Sequence, residues 1–164
     1  MSNSSSFSAL AVYTFEPDRY YRVESRDGCL YFLRVGGQFD LDRAGSVPSN
    51  AGVLGVLLMA GASTALGHKH QQAQFIARDP RKNPEELLTI HPHNFKLLPE
   101  DIKRAKFLPK KKWFPSHGRN VGRLVIERRD GTSQEFWFQE SADLNSAVHH
   151  LSALAGDKME NPLP

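Results

Sequence analysis

The chain has 164 residues, of which 40% are hydrophobic and 24% are charged. This length suffices for one ordinary domain, and the composition is that of a folded globular protein rather than a disordered one. The single cysteine, Cys29, excludes a disulfide framework and a cysteine-based zinc site within one chain, which fits a reducing compartment. The first ten residues, MSNSSSFSAL, do not have the basic start and apolar core of a signal peptide, so we expect a cytoplasmic protein.

The formal net charge of +3 conceals an uneven distribution of charge. Between Lys96 and Arg129 the chain carries eleven basic and three acidic residues, a local net charge of +8, which leaves −5 for the remainder. A segment of this kind indicates either an anionic partner or a solvated basic face.

The first part of the chain predicts β-strands. Phe7–Phe15 is mostly apolar and favours a first strand, followed by a break at Pro17. Tyr20–Glu24 and Cys29–Val35 are predicted strands, and Asp27-Gly28 between them tolerates the positive φ of a tight turn. The sequence therefore predicts a β-hairpin here.

The run Ala51–Gly67, AGVLGVLLMAGASTALG, is uncharged. As a helix it would span about 25 Å, which is short of the roughly 30 Å hydrocarbon core of a bilayer, and its glycines weaken membrane insertion. A helix packed on the sheet, self-association and a peripheral membrane contact remain as alternatives. Small residues recur four apart and let another backbone approach closely. The proposed interaction positions are Gly52, Gly55, Gly61, Ala65 and Gly67.

A short helix is predicted after this run. Asn83 suits the N-cap, Pro84 the first helical position, and Glu85 and Glu86 the first turn. Pro92 limits its length, so we expect it to end near Ile90.

The second half predicts four strands, of which the last two form a hairpin around Asp130-Gly131. The predicted strands are Asn94–Leu97, Ile102–Leu108, Val121–Arg128 and Ser133–Gln139.

A helix follows these strands. Ser141 is its predicted N-cap, and Gly156 its predicted stop. One apolar stripe at helical spacing consists of Leu144, Ala147, Val148, Leu151, Leu154 and Ala155. Such a helix must cover the face or open end of a sheet.

Residues 94–156 contain, in order, a strand with Phe95 and Leu97, the Asp101-Ile102 step, the Leu124/Ile126 strand, an Asp-Gly hairpin, an aromatic strand and the final helix. This succession resembles the second half of a bacterial pleckstrin-homology-like (PH-like) domain. It implies an α+β fold, namely a small antiparallel, partly open β-barrel capped by a C-terminal amphipathic helix. We expect one domain over 7–156 with a helical, Gly-rich insertion at about 46–91, and loose tails at 1–6 and 157–164.

The basic loop combines cationic and aromatic side chains. Its candidate binding residues are Lys110, Lys111, Lys112, Trp113, Phe114, Arg119 and Arg123. Trp and clustered lysines suit an anionic membrane surface, and the same composition suits a nucleic-acid backbone with a stacking aromatic. The alternative is a solvated loop whose aromatic side chains pack on the barrel rim.

No catalytic or metal-binding constellation stands out in the sequence. Histidines occur in pairs at 68/70, 91/93 and 149/150, but no nearby carboxylate or thiolate completes a ligand set. We therefore expect neither an enzyme nor a metal or cofactor site.

The resemblance implies a scaffold that binds lipid headgroups, peptides or proteins. We expect a non-enzymatic module that binds a protein or self-associates. Peripheral association with an anionic membrane through residues 110–114 is the first alternative, and non-specific nucleic-acid binding is the second.

Overall fold

The computed structural model describes residues 5–37, 73–110 and 120–160. Its strands are β1 (Ser5–Val12), β2 (Arg19–Arg26), β3 (Cys29–Gly37), β4 (Phe95–Leu97), β5 (Ile102–Pro109), β6 (Gly122–Arg128), β7 (Ser133–Phe138) and β8 (Met159–Glu160). Helix α1 spans Pro84–Leu87 and helix α2 spans Ser141–Ala155. Residues 73–77 are also helical, and 3-10 turns lie at Pro99–Asp101 and Gly156–Lys158.

Both predicted hairpins are confirmed, and their Asp-Gly turns differ in geometry. Asp27 and Gly28 both have positive φ, 52° and 73°, as a two-residue turn with matching strand twist requires. In the β6–β7 hairpin only Gly131 has positive φ, 87°, and its amide donates to the Arg128 carbonyl. That geometry is typical of a three-residue loop that ends in a glycine bulge.

The strands form one open, strongly curled sheet in the order β4-β3-β2-β1-β7-β6-β5-β8. Neighbours are antiparallel except β5 and β8, which run parallel. Strands β1–β4 are neighbours in the order in which they occur in the chain, and so are strands β5–β7. The two groups are joined by the pairing of β1 with β7. This half-barrel with a C-terminal helix agrees with the predicted partly open α+β barrel.

Helix α2 closes one end of the curled sheet with its predicted apolar stripe. Leu144, Ala147, Leu151 and Ala155 are buried in the main core. The Asp143 carboxylate accepts a hydrogen bond of 2.8 Å from the Ser8 amide, which ties the helix to β1. Gly122 in β6 lets α2 approach, because a Cβ there would lie 2.8 Å from Leu144 Cδ2.

Residues 73–91 cover the outer face of β3, so this strand is buried on both faces. Cys29, Tyr31 and Leu33 point away from the main core and pack with Ala77 and Leu87 in a second cluster. The predicted N-cap is confirmed, since the Asn83 side chain accepts from the Glu85 amide at 3.2 Å. The end of the predicted insertion is therefore part of the domain.

Some predicted boundaries differ from those of the structure. β1 includes Ser5 and Ser6, where the sequence predicts a loose tail, and it ends at Val12 rather than Phe15. Ser141 is the first helical residue rather than the N-cap, which is Glu140. The predicted loose tail, 157–164, includes the end of a 3-10 turn and β8, because Met159 pairs with Ala105 and packs on the core. The run 51–67 lies outside the described residues.

Candidate functional site

The end of the half-barrel away from α2 holds a cleft of about 270 Å³, which we call the open-end cleft. Its lining residues come from three places. They lie near the ends of β1 and β6, near the starts of β2, β4 and β7, and in the 91–94 loop. Its lining is polar and aromatic. The lining residues are Tyr13, Arg19, Tyr21, Pro92, His93, Asn94, Phe95, Arg128, Thr132, Ser133 and Gln134.

The cleft has an aromatic floor that continues into the core. The Phe95 ring stacks on Phe32 with centroids 4.5 Å apart, and Phe32 lies 5.0 Å from Phe136. Tyr21 meets Phe95 edge to face at 5.7 Å. Because these rings come from four different strands, they hold the open end of the sheet in one shape.

The 91–94 loop is held in place by hydrogen bonds from its own backbone and side chains. Asn94 donates to the Leu87 carbonyl at 2.7 Å and accepts from the Arg34 amide at 2.8 Å. The Tyr21 hydroxyl donates to the His93 carbonyl at 3.1 Å, and burial raises the pKa of Tyr21, so this phenol stays neutral. This wall of the cleft is therefore preorganised.

Two guanidinium groups reach the cleft from separate strands. Arg19, at the start of β2, lies over the Tyr13 ring at 4.3 Å and forms an ion pair with Glu16. Arg128, at the end of β6, lies over the Phe95 ring at 4.6 Å. The lining set contains two arginines and no carboxylate, and because Glu16 already pairs with Arg19, Arg128 is the cation that can attract an anionic group.

Arg128 is the better placed of the two for a ligand. Among the described residues its guanidinium has no carboxylate within ion-pair distance, whereas Arg19 already pairs with Glu16. A guanidinium has five N–H donors and can form two parallel hydrogen bonds to a carboxylate or phosphate. The cleft can therefore bind and orient an anion.

An exposed aromatic residue lies in the β1–β2 loop, beside the cleft. Phe15 is 98% exposed, although it follows Tyr13 by only two residues. Its neighbour Glu16, whose side chain is 58% exposed, brings a negative charge to the same rim. The rim thus combines an apolar side chain with charges of both signs.

The predicted basic loop starts at the other end of the sheet. Pro109 pairs with Gly122 near α2, whereas Ile102 pairs with Arg128 near the cleft. Lys110 is exposed at that far end. Residues Lys111, Lys112, Trp113, Phe114 and Arg119 lie outside the described residues, as do Gly52, Gly55, Gly61, Ala65 and Gly67.

Arg123 is held within the fold rather than free for a ligand. Its Nε donates to the Pro109 carbonyl at 3.0 Å, and its Nη1 bonds Glu135 at 3.0 Å. The same carboxylate accepts from the Trp137 indole at 2.7 Å. These contacts link β5, β6 and β7 and give Arg123 a structural role.

The described histidines do not form a metal centre. His91 is buried, its Nε2 lies 3.1 Å from an Arg34 nitrogen, and its Nδ1 accepts from the His93 amide. His150 stacks on Phe7, and burial lowers the pKa of its imidazole. Within residues 5–37, 73–110 and 120–160, no group of three or more His, Cys, Asp or Glu side chains is arranged to hold a metal.

Sequence reasoning missed the open-end cleft. Tyr13 and Arg19 are far from Arg128 in the chain, and the three belong to no motif. The available signal was their position, because each lies at a strand end beside a turn, at the same end of the sheet. That these positions lie at the same end of the sheet can be recognised only when the strand order is known.

No family model, curated protein or solved structure matches this chain. In the part of the chain that the structure describes, no helix is long and apolar enough to cross a membrane.

Proposed function

We propose that this protein is a non-enzymatic binding module of PH-like type whose open-end cleft binds an acidic segment of a partner protein. The strand order supports the PH-like assignment. Two consecutive meanders, β1–β4 and β5–β7, join through β1 and β7, and a helix closes one end. This arrangement is consistent with the partly open barrel that the resemblance implies.

The observation that carries the binding proposal is the guanidinium of Arg128. It lies on Phe95 at the cleft, without a carboxylate partner among the described residues. Placing a charge in such a position is favourable when a ligand supplies the opposite charge.

The rim favours a protein partner over a membrane. Phe15 and Glu16 stand on this rim instead of the cluster of lysines that an anionic bilayer attracts. Protein interfaces combine an exposed aromatic anchor, arginine and charges of both signs. The partner segment we expect has a carboxylate for Arg128 and an apolar residue that packs on Phe15.

Selection from a random library of twelve-residue peptides on the immobilised protein tests this proposal. We expect recovered peptides to be enriched in Asp and Glu and to contain aliphatic or aromatic residues. Their affinity should fall about tenfold in Arg128→Gln, which removes a charged hydrogen bond. Arg129→Gln is the matched control, since this exposed neighbour does not line the cleft.

Two further probes cover the alternatives. Vesicles with anionic lipid and a single-stranded oligonucleotide are titrated against the same three proteins. Peptides without acidic enrichment, or equal peptide affinity in both variants, would refute the proposal. Tight vesicle or oligonucleotide binding that is insensitive to Arg128→Gln would instead favour the basic loop at Lys110.

A further inference from the structure

The outer edge of β5 is only partly paired within the described residues. β5 has eight residues, and β8 pairs with two of them, Ala105 with Met159 and Lys106 with Glu160. A two-residue ladder contributes little stability, because isolated short pairings are marginal in water. Within the described residues, β8 therefore covers only a short part of this edge, and its pairing there is weak.

The segment on this edge is held there by charge as well as by the packing of Met159 on the core. Glu160 forms an ion pair with Arg104 at the surface of the sheet, and the hydrogen bond from Arg104 lowers the pKa of this carboxyl. Lys158 donates to the Pro99 carbonyl at 2.6 Å just before β8 begins. An acidic strand residue thus meets a basic row on β5.

That basic row extends beyond the residues that β8 pairs with. Lys103 and Arg104 are exposed, Lys106 is half-buried, and Lys110 follows the strand. The sequence after β8 is Asn-Pro-Leu-Pro, and proline has no N–H to donate to a ladder. The chain's own segment is therefore poorly suited to extend its pairing along β5.

We propose that the β5 edge is a docking site for an acidic, extended segment of a partner protein, which replaces β8 and pairs along residues 103–108. Main-chain hydrogen bonds to the edge supply affinity, as in other strand-addition complexes, and Arg104 and Lys106 select carboxylates. Residues 159–160 then act as an internal competitor for this site. The proposal is independent of the open-end cleft.

A labelled eight-residue peptide of alternating glutamate and valine tests this inference by fluorescence anisotropy. Its control carries the same side chains but is N-methylated at alternate residues, so that it cannot form a ladder. We expect the unmethylated peptide to bind Glu160→Ala about twofold to fivefold more tightly than wild type. That factor corresponds to the loss of one surface ion pair from the competitor.

Removal of the basic side chains is then tested in the Glu160→Ala background, where Arg104 no longer forms an ion pair with residue 160. Adding Arg104→Ala and Lys106→Ala should lower peptide affinity about tenfold, since two ion pairs are lost. Adding Arg81→Ala and Lys82→Ala removes the same charge far from β5 and should leave affinity unchanged. Circular dichroism melting checks that each variant folds, and Glu160→Gln replaces Glu160→Ala where it does not.

Three results would overturn the proposal. The first is that the methylated peptide binds as tightly as the unmethylated one, and the second is that Glu160→Ala gives no gain in affinity. The third is that the triple variant with Arg81→Ala and Lys82→Ala loses as much affinity as the one with Arg104→Ala and Lys106→Ala. Arg128→Gln should leave this affinity intact, so that failure here is distinguishable from failure of the cleft.

Discussion

The guanidinium carbon of Arg128 lies 4.6 Å from the centre of the Phe95 ring. Their strands, β6 and β4, are not neighbours, and four strands separate them in the sheet. The contact therefore exists only because the sheet curls strongly enough to bring the start of β4 close to the end of β6. It places a cation and an aromatic floor at the same point of the open end, and the open-end cleft depends on it.

The Arg128–Phe95 contact should contribute measurably to stability. A double-mutant cycle of Arg128→Ala and Phe95→Leu should give a coupling free energy of about 0.5–1 kcal/mol, the usual strength of an exposed cation–π pair. Urea unfolding of the four proteins measures it. The matched cycle with Arg129→Ala should give a coupling near zero, and equal coupling in both cycles would show that the contact has no specific effect.

The packing of α2 on β6 depends on the small residue at Gly122. A methyl group there would lie 2.8 Å from Leu144 Cδ2, so Gly122→Ala should destabilise by about 1–2 kcal/mol. In a Leu144→Ala background the same change should cost nearly nothing, because the obstructing side chain is gone. Thermal unfolding of the four proteins checks this, and an equal cost in both backgrounds would contradict the docking geometry.

The hairpin turns require glycine for its backbone freedom alone. Gly28 and Gly131 have φ of 73° and 87°, and a Cβ at either would meet nothing within 4 Å. Gly28→Ala and Gly131→Ala should therefore each cost about 1 kcal/mol of unfolding free energy through strain. Gly28→Asn should cost less than Gly28→Ala, since Asn tolerates positive φ. A Gly28→Asn variant as unstable as the alanine variant would argue for a cause other than φ.

Stability should fall at high pH through Tyr31. Burial, together with the hydrogen bond of 2.6 Å to Glu85, raises the pKa of this phenol to about 12, whereas an unfolded tyrosine titrates near 10. Between about pH 10 and pH 12 the folded state keeps a proton that the unfolded state loses, so the unfolding free energy decreases as pH rises.

Urea unfolding at several pH values from 9 to 11.5 measures this dependence. Tyr31→Phe should show a shallower decline than wild type, while the buried Tyr21 contributes equally to both proteins. The slope is compared rather than the absolute stability, since the substitution also removes a hydrogen bond. Identical slopes would mean that Tyr31 titrates as in the unfolded chain.

Local patterns in the sequence predicted most of the elements. Alternating residues around Asp27-Gly28 and Asp130-Gly131 gave the two hairpins, and the stripe from Leu144 to Ala155 gave α2. These signals are local because turn geometry and one-sided burial act over a few residues.

Long-range pairings could not be predicted in the same way. β8 is two residues long and has no pattern of its own, and it forms where Met159 reaches β5. The cover over Tyr31 and Leu33 depends on residues 73–91 returning to a strand more than forty residues away. The cleft also depends on long-range pairing, since Arg19 and Arg128 line the same cleft only because of the strand order.

Amide chemical-shift mapping tests most directly whether the open-end cleft binds an acidic protein segment. An acidic peptide recovered by the selection is titrated into isotope-labelled protein. We predict that the largest shift changes fall at Tyr13, Arg19, Asn94 and Thr132, and that Arg128→Gln needs about tenfold more peptide to produce them while Arg129→Gln leaves the titration unchanged. Changes centred on Lys110 and Arg123, at the other end of the sheet, would contradict this account.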